Sequence, residues 1–159
     1  MSGIPWQPAV AATDIPVRPN ASAYPDPFAS RVTGRSKRQL GNAFGLTNIG
    51  VNLTELAPGS ESALMHRHTK QDEFIYILEG NPTLATENGS ETLSPGMCAG
   101  FPAGGAAHHV INNTDRLVRY IEIGDRTPGD EGHYPKDDLR AVMENGSWAF
   151  RHKDGQPYD

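Results

Sequence analysis

A single cysteine, Cys98, excludes an internal disulfide, so no cross-link can stand in for a hydrophobic core. A lone thiol suits a reducing compartment, and a cytoplasmic location is expected. Aromatic residues make up only 8% and apolar residues 36% of the 159-residue chain, which disfavours a bundle of long amphipathic helices. No apolar run approaches the roughly 20 residues of a membrane span, and the N-terminus lacks the apolar stretch of a secretion signal. Positive charge is also scarce: 14 Lys and Arg stand against 19 Asp and Glu, a formal net charge of −5. That balance argues against nucleic acid or an anionic membrane surface as the partner.

Turn formers are plentiful, with 17 glycines and 13 prolines. Short strands joined by tight turns, around one core, are therefore expected. Six of the prolines fall within residues 1–30, a segment without apolar periodicity. Such a stretch cannot pair as a central strand and reads as an extended N-terminal arm. Trp6, Tyr24 and Phe28 would sit badly in water, which favours an arm laid across a neighbouring subunit of a homodimer. Arg31, Arg35, Lys37 and Arg38 form a basic cluster, read as a solvated face, with an anionic-substrate gate as the sharper alternative.

Period-two alternation begins at Ile49-Val51-Leu53. The run from Glu73 to Leu78 is apolar nearly throughout, as in a strand covered on both sides. Asn88-Gly89 marks a two-residue hairpin. Residues 108–112 and 118–123 read as a final strand pair. Seven or eight short strands over residues 31–125 predict an all-β antiparallel sandwich or barrel. Residues 126–159 read as a C-terminal extension, with one short helix from Asp137 to Glu144 suggested by acids in its first turn.

The chemistry gathers in two places. His66 and His68 alternate onto one strand face, and Glu73 follows after four residues that can turn the chain. Two imidazoles and a carboxylate from adjacent strands suit a divalent ion such as Mn, Fe, Ni or Zn. The plainer alternative is a pair of surface histidines. In the second stretch His108 and His109 point to opposite faces, so one of the two faces inward.

Together the stretches resemble the two cupin motifs, G-x5-H-x-H-x3–4-E-x6-G and G-x5-P-x-G-x2-H-x3-N. Gly59, His66, His68, Glu73 and Gly80 match the first; Gly96, Pro102, Gly104, His108 and Asn112 match the second. Each carries one extra residue, between Gly59 and His66 and between Gly104 and His108. The likeness spans about residues 40–125 and is nearest to small bacterial single-domain cupins, through Ser62-Ala-Leu-Met-His-Arg-His, Asp72-Glu-Phe-Ile-Tyr-Ile-Leu-Glu-Gly, Gly100-Phe-Pro-Ala-Gly and His133-Tyr-Pro-Lys-Asp-Asp-Leu. It implies a cupin double-stranded β-helix (jelly-roll barrel), one divalent metal ion per chain on His66, His68, Glu73 and His108, a small-molecule ligand and a homodimer. Tyr76, Tyr120, His109 and Tyr134 are the candidate substrate-binding residues, and no catalytic residue is assigned. Cupins include isomerases, epimerases, dioxygenases and inert binding proteins, and the fold does not choose among them. A metal-dependent enzyme acting on a small, polar, oxygen-rich molecule is the expected function. The alternative is a non-enzymatic cupin that binds or senses a sugar-like ligand.

Overall fold

The computed structural model describes residues 7–20 and 22–159; Trp6 lies outside them. Twelve strands carry the fold: β1 Arg35–Gln39, β2 Ile49–Leu56, β3 Arg67–His68, β4 Glu73–Glu79, β5 Thr83–Thr86, β6 Gly89–Thr92, β7 Cys98–Phe101, β8 His108–Ile111, β9 Val118–Asp125, β10 Glu131–His133, β11 Arg140–Glu144 and β12 Ser147–Arg151. All pairings are antiparallel. One layer is a five-stranded sheet ordered β1-β2-β9-β4-β7. Facing it are β6-β5-β8 and β12-β11-β10-β3, which the His66–His108 and Glu61–Ile111 bridges join into a second curved layer. Chain closure into two facing layers gives the jelly-roll barrel.

Strand alternation fills the interior. Leu56, Ile75, Ile77, Val118 and Tyr120 point inward from the five-stranded sheet and pack with Leu93 and Val110. The turn after β4 rests on Gly80, whose φ of +83° favours glycine. A Cβ there would lie 2.7 Å from the Leu117 carbonyl oxygen.

Three sequence expectations need correction. β4 is covered on one side only: Phe74, Tyr76 and Leu78 face outward and are 38%, 42% and 44% exposed. The 108–112 and 118–123 segments do not pair with each other. β8 joins β5, whereas β9 inserts between β2 and β4, because the chain crosses from one layer to the other between them. The short C-terminal helix is absent; Arg140–Glu144 is strand β11, paired with β12 across Asn145-Gly146. Those two residues have φ of 50° and 78°, the left-handed pair of a hairpin turn, and the ladder outcompetes the helical preference of a stretch only eight residues long.

The N-terminal segment folds onto its own chain. The Arg18 amide donates to the Lys37 carbonyl, Tyr24 meets Phe150 edge-on and Phe28 meets Tyr158 edge-on. These aromatics surround Leu64, Tyr134, Leu139 and Ala141, a second cluster at the barrel mouth.

Candidate metal centre

His68 sits on β3, and His66 bridges to His108 at the start of β8 through reciprocal backbone hydrogen bonds. Glu73 opens β4 on the facing sheet, its side chain inward like those of Ile75 and Ile77. The ligand atoms of His66, His68 and Glu73 lie within 4.8 Å of one another, and His108 reaches the same carboxylate. The His108 Nε2 lies 2.7 Å and the His66 Nε2 3.5 Å from Glu73 Oε2, and the His68 Nε2 lies 3.3 Å from Oε1. Adjacent donors on an octahedral ion with bonds of ~2.1 Å are separated by about 3 Å, so the spacing fits.

The far side of each ring fixes its chemistry. His66 Nδ1–H donates to the Leu64 carbonyl at 2.8 Å, and His108 Nδ1–H to that of Ala106 at 3.3 Å. His68 Nδ1–H donates to Asp130 Oδ2. With Nδ1 carrying a hydrogen, a ring that is neutral turns its Nε2 lone pair toward the carboxylate. Imidazole nitrogens around one carboxylate are a donor set that fits a divalent metal, which binds them in their neutral form. Burial raises the Glu73 pKa, but the imidazoles of His108, His66 and His68 outweigh it and hold the carboxyl well below its usual range. Burial lowers the His68 pKa; Glu73 and then Asp130 reverse this and raise it to about 9.

Asp130 is the residue that sequence reasoning missed. It is 1% exposed and spends its other oxygen on the Lys70 and Gln71 amides, at 2.8 and 3.2 Å. Lying in Pro128-Gly129-Asp130, it reads locally as a turn former, and nothing links it to a histidine 62 positions away.

The centre lies in an open cavity of about 850 Å³. Phe101 stacks on His108 with ring centroids 3.5 Å apart, and Tyr134 stacks on His66 at 5.7 Å. Trp148 meets His68 edge-on at 5.9 Å. Tyr134 and Tyr120, both sequence candidates, line the cavity, and burial pushes both phenols well above their usual pKa. Tyr24 joins them, accepting a hydrogen bond from the Tyr134 hydroxyl at 3.3 Å. The other two candidates fall elsewhere. Tyr76 is on the outer face of β4, because its position in the alternation is opposite to that of Glu73. His109 turns away from the cluster, its Nδ1 donating to the Ala63 carbonyl at 3.0 Å beside Glu61. The basic cluster also divides. Arg35 and Lys37 line the cavity, while Arg31 pairs with Glu61 and Asp137 outside it.

Comparison with known proteins identifies the fold. The family model described as Cupin domain matches residues 52–124. A solved structure described as a sugar phosphate isomerase from a cupin superfamily, from Silicibacter pomeroyi, is 37% identical with a TM-score of 0.89. That match covers 96% of this chain and 97% of the other. A protein from Acidithiobacillus ferrooxidans, named only provisionally as a sugar phosphate isomerase, is 33% identical over 79% of this chain and 80% of its own, with a TM-score of 0.71. The polyketide cyclase of Streptomyces resistomycificus shares the fold at 19% identity and a TM-score of 0.64, covering 79% of this chain and 84% of that one. No curated protein matches the chain.

Proposed function

Because this chain belongs to the cupin superfamily, we propose that it is a metal-dependent enzyme of isomerase or epimerase type acting on a small phosphorylated sugar. The observation that carries the reading is the cluster of His66, His68 and Glu73, with His108 against the same carboxylate, inside one cavity. The names borne by the Silicibacter and Acidithiobacillus proteins support the substrate class.

His66, His68, Glu73 and His108 would hold one divalent ion, Mn, Fe, Ni or Zn. When bound, that ion supplies Lewis acidity toward a carbonyl or hydroxyl oxygen and leaves positions for substrate. The chain's residues do the rest. Phe101 and Trp148 shield the centre from water on two sides. Tyr120 and Tyr134, held neutral by burial, offer hydroxyls that can orient substrate oxygens. Tyr76 and His109 have no part in this pocket. Oxygen chemistry on the same ligand set is the competing enzymatic outcome, and a sugar-binding module the non-enzymatic one.

The test is elemental analysis of protein purified without a histidine tag, beside His68→Ala. Wild type is expected to carry near one divalent ion per chain and the variant less than about a tenth of that, with strand circular dichroism preserved. Full occupancy in His68→Ala would assign the wrong ligands. Isomerisation of a sugar phosphate that stops on chelation and resumes with metal would establish the reaction. Stoichiometric iron without isomerase activity would move the protein to oxygen chemistry.

We also propose association as a homodimer. Support comes from the outward row Phe74, Tyr76 and Leu78, exposed on β4 beside Ile121 and Ile123 of β9. An apolar sheet face of this kind is costly to leave in water. Tyr76→Lys is expected to shift sedimentation from dimer to monomer; an unchanged dimer would place the interface elsewhere.

A further inference from the structure

The inner face of the five-stranded sheet changes character along its length. At one end Leu56, Val118 and Ile77 point inward and pack in the core. Toward the cavity the inward positions turn polar. Gln39, Asn52 and Glu122 stand side by side across β1, β2 and β9, and Lys37 is the next inward residue on β1. Between this row and the metal centre the floor is bare. Gly50 and Gly124 pair across β2 and β9, and Gly124 stands opposite Glu73. A Cβ would come no closer than 3.7 Å to another residue at Gly50 and 3.5 Å at Gly124, and neither glycine has a positive φ. Open space, rather than a backbone conformation, is what their missing side chains provide.

Glu122 is a diagonal neighbour of Glu73 on the adjacent strand, roughly 7–8 Å away between backbones. Its Oε1 accepts from the Lys37 ammonium and, at 3.0 Å, from the Asn52 amide. Its Oε2 makes no hydrogen bond among the described residues and is not sealed from the cavity, the side chain being 24% exposed. Burial raises the pKa of this carboxyl, but Lys37 and then Asn52 outweigh it and hold the group below its ordinary range. A proton-transferring base works best with a pKa near 7. A carboxylate kept anionic and pinned through one oxygen is instead a strong, oriented acceptor for a hydroxyl. Lys37 complements it: an ammonium has three donors, and among the described residues only Glu122 takes one. The fold gains little from the arrangement, since a buried ion pair can often be exchanged for apolar side chains without loss of stability.

We propose that Glu122 and Lys37, positioned by Asn52, form a subsite for neighbouring hydroxyl groups of a polyhydroxylated substrate, reached from the metal centre across the bare floor of Gly50 and Gly124. The proposal rests on the metal-enzyme reading and deepens it. One hydroxyl donates to Glu122 Oε2, and the oxygen of the next accepts from Lys37 Nζ. The carbon chain between this pair and the chelated end lies over the two glycines. Glu122 and Lys37 sum to zero charge, so the subsite takes uncharged hydroxyls, and the open carboxylate oxygen repels a phosphate brought to the same place. Analogues lacking the hydroxyls are rejected because they leave that oxygen stripped of water and without a donor.

Calorimetric titration of metal-loaded protein with three hydroxamates tests this. Each chelates through the same head: acetohydroxamate has no tail, butyrohydroxamate an apolar four-carbon chain, and erythronohydroxamate the same chain bearing hydroxyls. Wild type is expected to bind erythronohydroxamate about tenfold more tightly than butyrohydroxamate. Glu122→Gln should weaken erythronohydroxamate about tenfold and leave acetohydroxamate unchanged. The double variant Lys37→Met with Glu122→Leu replaces the pair by apolar side chains of similar size, and it should bind both four-carbon probes alike. Should Glu122→Gln fail to fold, the double variant carries the test, because it leaves no charge buried alone. Equal binding of the two four-carbon probes to wild type would overturn the subsite and leave the metal centre standing. So would a loss in Glu122→Gln shared equally by all three probes, which would put Glu122 behind the metal ligands rather than against the substrate. Wild type that takes up no metal, or that binds no acetohydroxamate when loaded, would remove the metal-enzyme reading and this subsite with it.

Discussion

Asp130→Ala is expected to weaken metal binding by about 10- to 100-fold and to cost about 2–4 kcal/mol of stability. Both effects come from one buried carboxylate. One oxygen fixes the His68 ring by taking its Nδ1–H, while the other accepts from the Lys70 and Gln71 amides and, at 3.4 Å, from the Thr69 hydroxyl. Alanine leaves two backbone donors without an acceptor and the ring free to rotate. Asp130→Asn separates the two roles. Its amide oxygen can still serve the Lys70 and Gln71 amides, but its NH2 would face His68 Nδ1 and force the hydrogen onto Nε2. The ligating lone pair is then lost while most of the turn survives. Urea denaturation and competition with a chromophoric chelator should show the asparagine variant close to wild type in stability and far below it in metal affinity. An asparagine variant that holds metal like wild type would remove Asp130 from the centre.

Asn112→Ala is expected to behave in the opposite way, losing about 3–4 kcal/mol of stability while each folded molecule keeps its metal. Asn112 has no exposed surface and makes four hydrogen bonds. Its amide NH2 donates to the Leu56 and Arg116 carbonyls at 2.8 and 2.7 Å. Its oxygen accepts from the Thr114 amide and hydroxyl at 3.0 and 2.7 Å. The side chain therefore ties the loop after β8 to the end of β2, where the chain changes layers. Asn112→Asp should lose nearly as much, because a carboxylate cannot donate to two carbonyls. For a domain stable by about 5–15 kcal/mol the loss is large, and urea midpoints measure it. Loss of metal with unchanged stability would mean that this residue serves the centre rather than the fold.

These residues mark how far the sequence could be read. His66, His68 and Glu73 were legible because strand alternation and one turn bring them together within eight positions. His108 was legible only through the paired motifs; alternation alone left His109 equally placed, and the reciprocal bonds to His66 settle which ring faces the carboxylate. The partners of Asp130 and of Lys37 were illegible for a common reason. Each acts on a partner 62 or 85 residues away, and such pairings depend on sheet order, which local patterns do not encode. The barrel interior followed period two, but Tyr76 shows the limit of that rule. Alternation says that it opposes Glu73 without saying which face holds the cavity, and only the metal residues fix that choice. The mistaken helix at 137–144 had a corrective signal in plain view: Asn145-Gly146 is the same dipeptide class that located the hairpin at Asn88-Gly89.

The meeting of both chain ends over the cavity has a consequence for how function is encoded. All four residues proposed to hold the metal lie within the stretch 52–124 that defines the family match. Arg18, Tyr24, Arg35, Lys37, Tyr134 and Trp148, which shape the surrounding space, all lie outside it. On the proposed reading, the metal ligands and much of the substrate chamber are written in separate parts of the chain, with Tyr120 on β9 common to both. A relative can share the barrel and its ion while offering a wholly different chamber, so resemblance confined to the central segment transfers the chemistry but not the substrate. Exchanging the flanking segments between such relatives is the natural way to exchange what they recognise.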